Sequence, residues 1–409
     1  MGVPRALPPA EIVTVPRWPD RTLDVAALRA AGHGPVPFRE VVLKVHQRCN
    51  LACDYCYVYT MADRSWRNRP PVMERTTWLA AAGRMAEHAA AHRPAGMRLV
   101  LHGGEPLLAG IDRLTTLVGD FRAAFSGECR LDIRLQTNAV LLDPALLDLF
   151  VRQGVRVGVS LDGTAETNDR RRRYADGRGS HAAVDRALRL LGSPAYREVF
   201  AGLLCTVDPS TDPVASYEAL LAYGPPDLDL LIPHANWSSP PERDPAGSRT
   251  PHADWLIAVF DRWYDAPRQE TRIRLFEDVM GLVLGGAGRS EQVGLSPVAA
   301  VVVESDGAIE LVDSLKASYP GACFTGLTVF DDALDAALDH PGVVARQIGV
   351  EALSAACRAC PVHAVCGGGH YAHRYRPGDG YLNPSVYCAD MLKLIRHISG
   401  RILADLRRR

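Results

Sequence analysis

Three cysteines lie close together in the stretch KVHQRCNLACDYCYVY, residues 44–59. Cys49, Cys53 and Cys56 are separated by three and then by two residues. Three thiolates on one short loop suit a cubane iron-sulfur cluster, because one of its four irons then lacks a protein ligand and can bind a small molecule. The alternative is a zinc site in which the nearby His46 supplies the fourth ligand.

A second group of cysteines lies near the C-terminus. Cys357, Cys360 and Cys366 occur in CRACPVHAVCGGGH, and Cys388 follows after 21 further residues. Four cysteines in such a group can form a zinc knuckle. Seven of the ten cysteines therefore belong to two clusters. In a reducing compartment, clustered thiols indicate metal binding or catalysis and not disulfides.

The composition limits the classes of partner. The 409 residues carry a formal net charge of -1, so no global basic field favours nucleic acid or an anionic membrane surface. The proline-rich N-terminus lacks the apolar core of a signal peptide, and no run approaches the roughly 20 apolar residues of a membrane span. We therefore expect a cytoplasmic protein with no nucleic-acid partner and no membrane partner.

Apolar runs alternate with segments of helical periodicity, which is the pattern of parallel strands joined by helices. A typical helical segment is RTTWLAAAGRMAEHAAAH at residues 75–92. The sequence predicts six strand-helix units. Their strands are VVLKVH at 41, RLVLH at 98, LDIRLQT at 131, VRVGVSL at 155, VFAGLLCTV at 199 and LDLLIP at 228.

Loop segments rich in proline, glycine and serine divide the chain into three predicted parts. They are an arm at 1–38, an α/β domain with a helical linker at 39–295, and a second domain at 296–409. Helical segments are expected between 252 and 285. The second domain begins with AAVVVESDGAIELV, in which Asp306-Gly307 between two apolar runs predicts a β-hairpin.

The first cysteine motif, with Tyr55 before its last cysteine, resembles the signature of the radical S-adenosylmethionine (SAM) superfamily. Further motifs of that family follow in order, each at the end of a predicted strand: HGGEP at 102–106, QTNA at 136–139 and SLDG at 160–163. The resemblance implies a partial (β/α)6 TIM-like barrel. It also implies a SAM-binding 4Fe-4S cluster on Cys49, Cys53 and Cys56. The residues it implies for SAM binding are Tyr55, Gly103, Gly104, Glu105, Gln136, Asn138, Ser160, Asp162 and Arg172.

Arg172 lies in the basic run RRRR at 170–173, where the family has an arginine that pairs with the SAM carboxylate. A guanidinium suits a carboxylate because its donors form a fork. The alternative is that the whole run is solvated.

The second cysteine group resembles the SPASM extension of radical SAM peptide maturases, in which Cys357, Cys360, Cys366 and Cys388 would hold an auxiliary iron-sulfur cluster, expected to be 4Fe-4S. The sequence departs from the full seven-cysteine pattern, because His370 and Val312 occupy two cysteine positions. We therefore expect no second auxiliary cluster. Cys129, Cys205 and Cys323 are then buried apolar side chains, although His370 or Cys323 as a cluster ligand stays open.

Asp313 directly follows Val312. In sulfatase-maturing relatives the acid at this place acts as a base, so the resemblance implies that Asp313 is a catalytic proton acceptor. The alternative is an exposed aspartate in a turn.

Residues 37–73 and DSLKASYPGACFTG at 313–326 also resemble the Fxs-type maturases, which make three-residue cyclophanes in ribosomal peptides. This resemblance implies that a 5'-deoxyadenosyl radical removes hydrogen from a substrate Cβ, and that the carbon radical adds to an aromatic ring. The expected partners are a precursor peptide and an external electron donor such as flavodoxin or ferredoxin. The arm and the β-hairpin are candidates to bind the leader of the peptide by strand addition.

Three other functions share part of this pattern. A thioether-forming or cysteine/serine-oxidising SPASM enzyme would carry the same motifs. A zinc-stabilised binding module would need the cysteines but none of the ordered HGGEP, QTNA and SLDG segments. A tRNA-modifying radical enzyme is disfavoured by the near-zero net charge.

Overall fold

The computed structural model describes residues 17–125, 129–242 and 247–408. Within them, one sheet has ten strands in the order β10-β9-β8-β1-β2-β3-β4-β5-β6-β7. The strands are β1 Glu40–His46, β2 Gly96–Gly103, β3 Arg130–Thr137, β4 Arg156–Ser160, β5 Phe200–Thr206, β6 Asp227–Leu231, β7 Arg272–Ile273, β8 Ala300–Val303, β9 Ala308–Glu310 and β10 Phe324–Thr328.

Helices connect the strands and cover the sheet. They are α1 Val25–Ala30, α2 Arg75–His92, α3 Ile111–Ala124, α4 Pro144–Gln153, α5 Ala165–Arg171, α6 His181–Leu191, α7 Pro213–Leu221, α8 Pro251–Tyr264, α9 Arg274–Val283, α10 Pro341–Val344, α11 Ala355–Arg358, α12 His363–Cys366 and α13 Cys388–Arg408. Short 3-10 turns that matter below span Pro106–Ala109, Asp313–Ala317 and Tyr371–Arg374.

The six predicted strands are β1 to β6, and they pair in parallel in chain order. The predicted helix at 75–92 is α2, and the helical region after 252 is α8 and α9 with β7 between them. The parallel α/β architecture with six strand-helix units expected from the sequence is therefore confirmed. Because all six strands run in the same direction, their C-terminal ends share one edge of the sheet.

Local signals fix where the elements begin and end. Helix α4 begins after Asp143, whose carboxylate accepts a hydrogen bond from Leu146 N, and it ends at Gly154 in the left-handed conformation. In β2 and β3, alternate residues such as Leu99 and Ile133 are fully buried under the helices. The core is thus continuous along the sheet.

The predicted hairpin around Gly307 is β8 and β9, and Gly307 adopts a positive φ of 90° in its turn. Strand β8 also pairs in parallel with β1, so the C-terminal part extends the barrel sheet. Strand β9 pairs on its other side with β10. The hairpin suggested as a leader-binding edge therefore has both strands paired on both sides, and that suggestion is wrong for β8 and β9. In the described part of the chain, β10 forms this edge.

The described part of the arm packs on the C-terminal region. Trp18 is buried, and its backbone pairs with Gly380. Residues 1–16 lie outside the described residues, so the arm's suggested role in leader binding stays a prediction. No helix in the described ranges combines the length and the apolar character needed to cross a membrane.

Candidate active site

The predicted SAM-binding residues converge because they follow neighbouring strands. Gly104 and Glu105 follow β2, Asn138 follows β3, and Asp162 follows β4. The cysteine loop follows β1. Since the C-terminal ends of parallel strands meet at one edge, four separate sequence motifs form one surface.

The loop after β1 presents the three cysteines on this surface. It turns at Cys56, whose N–H donates to the Cys53 carbonyl at 3.3 Å and whose carbonyl accepts from Thr60 N at 2.9 Å. The Nδ2 of Asn138 lies 3.6 Å from Cys49 Sγ and donates to Asn50 Oδ1 at 2.8 Å. The segment after β3 therefore touches the loop beside one of its thiols.

Burial makes the thiols of the loop difficult to ionise. It raises the pKa of Cys49 to about 12 and that of Cys53 to about 11, so these thiolates need a nearby cation to form at neutral pH. A metal centre bound by the loop would supply that cation.

Two glycines bring the backbone after β2 against the cysteine loop. A Cβ on Gly103, whose φ is 150°, would lie 2.2 Å from the His46 carbonyl oxygen. A Cβ on Gly104 would lie 1.9 Å from the Tyr59 hydroxyl and 2.5 Å from the backbone carbon of Arg48. Both positions therefore need glycine for this close approach.

Glu105 connects two of the motifs. Its buried carboxylate accepts from Leu107 N at 3.0 Å, from the Thr137 hydroxyl at 2.6 Å and from Asn138 N at 2.8 Å. Burial raises its pKa, while these hydrogen bonds lower it. The structure thus gives Glu105 the task of orienting the backbone after β2 and β3.

Arg172 differs from the other arginines of its run. It is 7% exposed and donates from Nη1 to the Tyr55 hydroxyl at 2.8 Å, whereas Arg173 is exposed. Tyr55 in turn donates to Asp162 at 2.5 Å. The Nε of Arg172 is buried without a hydrogen-bond partner. A buried, unpartnered guanidinium N–H fits an anionic ligand such as the SAM carboxylate.

The remaining predicted polar pair lies on neighbouring strands. Gln136 Nε2 donates to Ser160 Oγ at 3.0 Å, across the β3–β4 pairing. All nine predicted SAM-binding residues are thus on this edge of the sheet. Their individual roles stay predictions.

Asp313 lies at the start of the 3-10 turn Asp313–Ala317, within reach of the barrel. Its Oδ2 forms an ion pair with Lys44 of β1 and accepts from the Tyr57 hydroxyl at 3.1 Å. Lys44 also lies 2.9 Å from His102 Nδ1. The alternative of an exposed turn aspartate is wrong, because the Asp313 side chain is only 15% exposed.

The electrostatics around Asp313 keep it ionised. Burial raises its pKa, but Lys44 and His102 lower it more, so the pKa lies well below its ordinary value. Burial and the adjacent Lys44 lower the pKa of His102 to about 4. At neutral pH the site thus contains a carboxylate and a neutral imidazole around one ammonium group.

A buried ion network supports the turn that carries Asp313. Lys316, in the same turn, pairs with the fully buried Glu304, which also lies 3.8 Å from Arg69 Nη1. Burial raises the pKa of Glu304, but Lys316 and Arg69 outweigh it and lower the pKa to about 2. Removing one partner of such a network leaves an uncompensated buried charge.

The second cysteine group lies in the short helices after the sheet. Cys357 is in α11, Cys366 is in α12, and Cys388 begins α13. Burial raises the pKa of Cys366 to about 11, and the thiols of Cys388 and Cys357 add to this increase. Cys360 likewise raises the pKa of Cys388. The four thiols are therefore close enough to interact. Cys205 and Cys323 are buried as expected, whereas Cys129 is half-buried.

Several residues beside Asp313 had no predicted role. The position of Lys44 within the apolar run VVLKVH could have indicated a buried ion pair, because an unpaired lysine is rarely buried in a central strand. His102 belongs to HGGEP, but the motif does not indicate its contact with Lys44. Tyr57 carries no signal beyond its position next to Cys56. His234 and His373 are discussed below.

Comparisons with known proteins agree with this architecture. Residues 43–201 match the model of the Radical SAM superfamily. The chain is 27% identical over 92% of its length, and over 92% of the relative, to the serine-type anaerobic sulfatase-maturating enzyme of Klebsiella aerogenes. It is 34% identical to the uncharacterized protein sll1766 of Synechocystis, over 38% of each chain.

Solved structures show the same fold. The structure of native anSMEcpe with bound AdoMet has a TM-score of 0.75 at 21% identity, covering 89% of this chain and 98% of that one. Streptococcus suis SuiB bound to its precursor peptide SuiA has a TM-score of 0.54 at 14% identity, over 88% and 78% of the two chains. The prediction of a 4Fe-4S cluster and SAM is confirmed by the superfamily match.

Proposed function

We propose that this protein, a peptide-modifying enzyme with a radical SAM domain, is a maturase that installs a carbon-carbon cyclophane crosslink in a ribosomally made peptide. The crosslink joins an aromatic ring to the Cβ of a nearby residue. One observation carries the proposal: an ionised carboxylate, Asp313, is hydrogen-bonded to Tyr57, the residue that follows the cluster ligand Cys56.

The residues are suited to hold the cofactors. Cys49, Cys53 and Cys56 would hold the first cluster, and Arg172 Nε would bind the SAM carboxylate. Cys357, Cys360, Cys366 and Cys388 would hold the auxiliary cluster. When bound, these groups would supply the one-electron chemistry that removes a hydrogen atom from a substrate carbon and accepts the electron released as the ring regains its aromaticity.

The protein's own contribution is to position groups and to move one proton. Forming the crosslink removes one hydrogen from Cβ and one from the ring, and the ring hydrogen leaves as a proton plus an electron. Asp313 is the proton acceptor, because its pKa keeps it unprotonated at neutral pH. Lys44 holds the carboxylate in place, and its ammonium group balances the charge.

The substrate is a peptide that enters the cavity beside Asp313. This cavity has a volume of about 690 Å³ and is lined by Asp313 together with residues near the N-terminal ends of the strands, such as Arg98 and Asp132. Support for a peptide comes from the fold, which is shared with SuiB bound to its precursor peptide. The electron donor is an external protein such as flavodoxin or ferredoxin.

A second candidate is oxidation of serine or cysteine to formylglycine. The observation that favours it is the similarity to the serine-type and cysteine-type anaerobic sulfatase-maturating enzymes. A thioether-forming reaction uses the same residues. Both alternatives need a cysteine or a serine in the substrate, whereas a cyclophane does not.

Substrate composition separates these reactions. Synthetic peptides with an aromatic residue in a three-residue motif, but without cysteine or serine, are incubated with the reconstituted enzyme, SAM and dithionite. The proposal predicts the loss of two hydrogens, no reaction of the product with hydrazine, and tandem mass spectra that do not fragment within the motif. Modification of only serine- or cysteine-containing control peptides, with hydrazine-reactive products, would establish the sulfatase-maturing alternative.

A further inference from the structure

Three histidines face one another beside Asp313. His234 follows β6. His370 directly precedes the 3-10 turn Tyr371–Arg374, and His373 lies within that turn. Each offers one ring nitrogen within 4.8 Å of the other two. All three line the same cavity as Asp313. No cysteine belongs to this group.

Two of these rings have buried polar atoms with no hydrogen-bond partner. They are Nδ1 of His234 and Nε2 of His373. An unsatisfied buried polar atom costs about 1–3 kcal/mol, so native structures rarely keep one without a reason. Histidines that served only to pack would be expected to hydrogen-bond to each other or to the backbone.

A second histidine group in the described chain has hydrogen-bond partners for its ring nitrogens and serves as a comparison. His88 and His92 both bond to Asp335, with His92 Nε2 at 2.9 Å from a carboxylate oxygen. His88 also bonds through Nε2 to the Phe38 carbonyl at 3.1 Å. These nitrogens already have partners, whereas His234 Nδ1 and His373 Nε2 have none.

The three rings are in the protonation state that binds metals, although the positive charges of Arg346 and Arg374 lie near them. Burial lowers the pKa of His234 to about 4 and lowers the pKa of His370 and His373 well below the ordinary value. The rings are therefore neutral at pH 7, which is the form that binds metals. His370 Nε2 lies 3.9 Å from the Glu291 carboxylate, and His370 Nδ1 accepts from Ala372 N at 3.3 Å. To bind a metal, His370 would use Nε2 or give up the hydrogen bond from Ala372.

We propose that His234, His370 and His373 bind one divalent transition-metal ion, with Zn²⁺ as a suitable member of the class. Imidazole nitrogens are ligands for zinc, iron, nickel and copper, and they bind zinc at about 2.0–2.1 Å. Three protein ligands leave a position open for an oxygen ligand from water or from the peptide. The site is independent of which peptide reaction the enzyme performs.

Metal stoichiometry and coordination test this site directly. The full-length protein, with its clusters reconstituted without oxygen, is loaded with zinc chloride alone and desalted. Zinc and iron are then counted by mass spectrometry, and the zinc environment is measured by X-ray absorption. We expect about one zinc per chain, bound by nitrogen or oxygen at about 2.0–2.1 Å with imidazole scattering and without sulfur.

Variants locate the ion. His373→Asn and His234→Asn are expected to lose most of the zinc at unchanged iron content. The control variant His92→Asn, in the group that bonds to Asp335, is expected to retain the zinc. Zinc that washes out, zinc bound by sulfur at about 2.3 Å, or equal zinc in all three variants would overturn the proposal. If a variant also loses iron, the absorption spectrum of the wild-type protein decides.

Discussion

Lys44 of the first barrel strand and Asp313 of the turn after β9 form a buried ion pair. The pair connects the barrel to the segment that carries the candidate base, although 268 residues separate the two in sequence. Lys44 is only 2% exposed, so the charge on Asp313 is held by a residue that water cannot easily replace. This contact makes the ionisation of Asp313 depend on Lys44.

Replacing Lys44 should change the pH dependence of product formation. In the wild-type enzyme the lowered pKa keeps Asp313 unprotonated, so its protonation should not limit activity at about pH 5 or above. In Lys44→Met, burial dominates and raises the pKa of Asp313, so activity should fall on the acid side at a higher pH. A pH profile of peptide product measures this shift. An unchanged profile, in a variant that keeps its iron, would contradict the role of Lys44.

The same pair should contribute to stability. Asp313 has a lower pKa in the folded state than its ordinary 3.8, so the contribution is present above about pH 4 and is lost as the pH falls toward the folded-state pKa. Removing one partner of a buried pair costs about 3–5 kcal/mol. Denaturant unfolding of Lys44→Met at pH 7 should show a loss of this size. Lys44→Arg, which keeps the charge, should lose less.

Asp313→Asn should separate SAM cleavage from product formation. The amide has nearly the same shape but cannot accept the ring proton, so crosslinked product should fall by about 10²–10⁴-fold. Formation of 5'-deoxyadenosine should persist. Tyr57→Phe is the matched control, because it removes a hydrogen bond to Asp313 and keeps the carboxylate. Product formation by Asp313→Asn at the wild-type rate would exclude Asp313 as the base.

Arg172→Lys should weaken SAM binding. Lysine keeps the charge but lacks the Nε donor that is unpartnered in the structure. Losing a hydrogen bond to a charged group costs about 1.5–3 kcal/mol, which is roughly a 10–150-fold increase in Kd. Arg173→Lys, which changes the exposed neighbouring arginine in the same way, is the control. Equal Kd values for the two variants, measured by equilibrium dialysis, would mean that another residue binds the carboxylate.

Gly104→Ala should disrupt the first cluster. The added Cβ would overlap the Tyr59 hydroxyl and the Arg48 backbone, and Arg48 directly precedes Cys49. Iron content and the melting temperature should both fall, because overpacking costs about 1–3 kcal/mol. Gly83→Ala, at an exposed helical position with no atom within 4 Å, should instead raise stability by about 0.5–1 kcal/mol. Full iron occupancy in Gly104→Ala would show that the loop can move aside.

The sequence predicted the parts of the site that follow local rules. The six strands have apolar or alternating patterns, and the polar residues directly after them must meet at one edge of the sheet, so the surface with Cys49, Glu105 and Asp162 could be predicted. The resemblance already implied Arg172, but the alternative of a fully solvated run was excluded only by the structure, in which Arg172 is buried and bonded to Tyr55.

Contacts between distant segments could not be predicted in the same way. Strand β8 pairs with β1 across more than 250 residues, and periodicity contains no information about such partners. For this reason neither the Lys44–Asp313 pair nor the group of His234, His370 and His373 was expected. The same pairing explains why the hairpin does not offer a free edge.

The iron and sulfide content, with the EPR spectrum of the dithionite-reduced protein before and after adding SAM, tests most directly whether the protein holds two iron-sulfur clusters. We expect about eight irons per chain and a signal that SAM perturbs, because one iron of the first cluster lacks a protein ligand. After reconstitution without oxygen, the protein could instead be colourless, with zinc at its cysteines and no iron. That result would contradict the assignment of iron-sulfur clusters and would favour the function of a zinc-stabilised binding module.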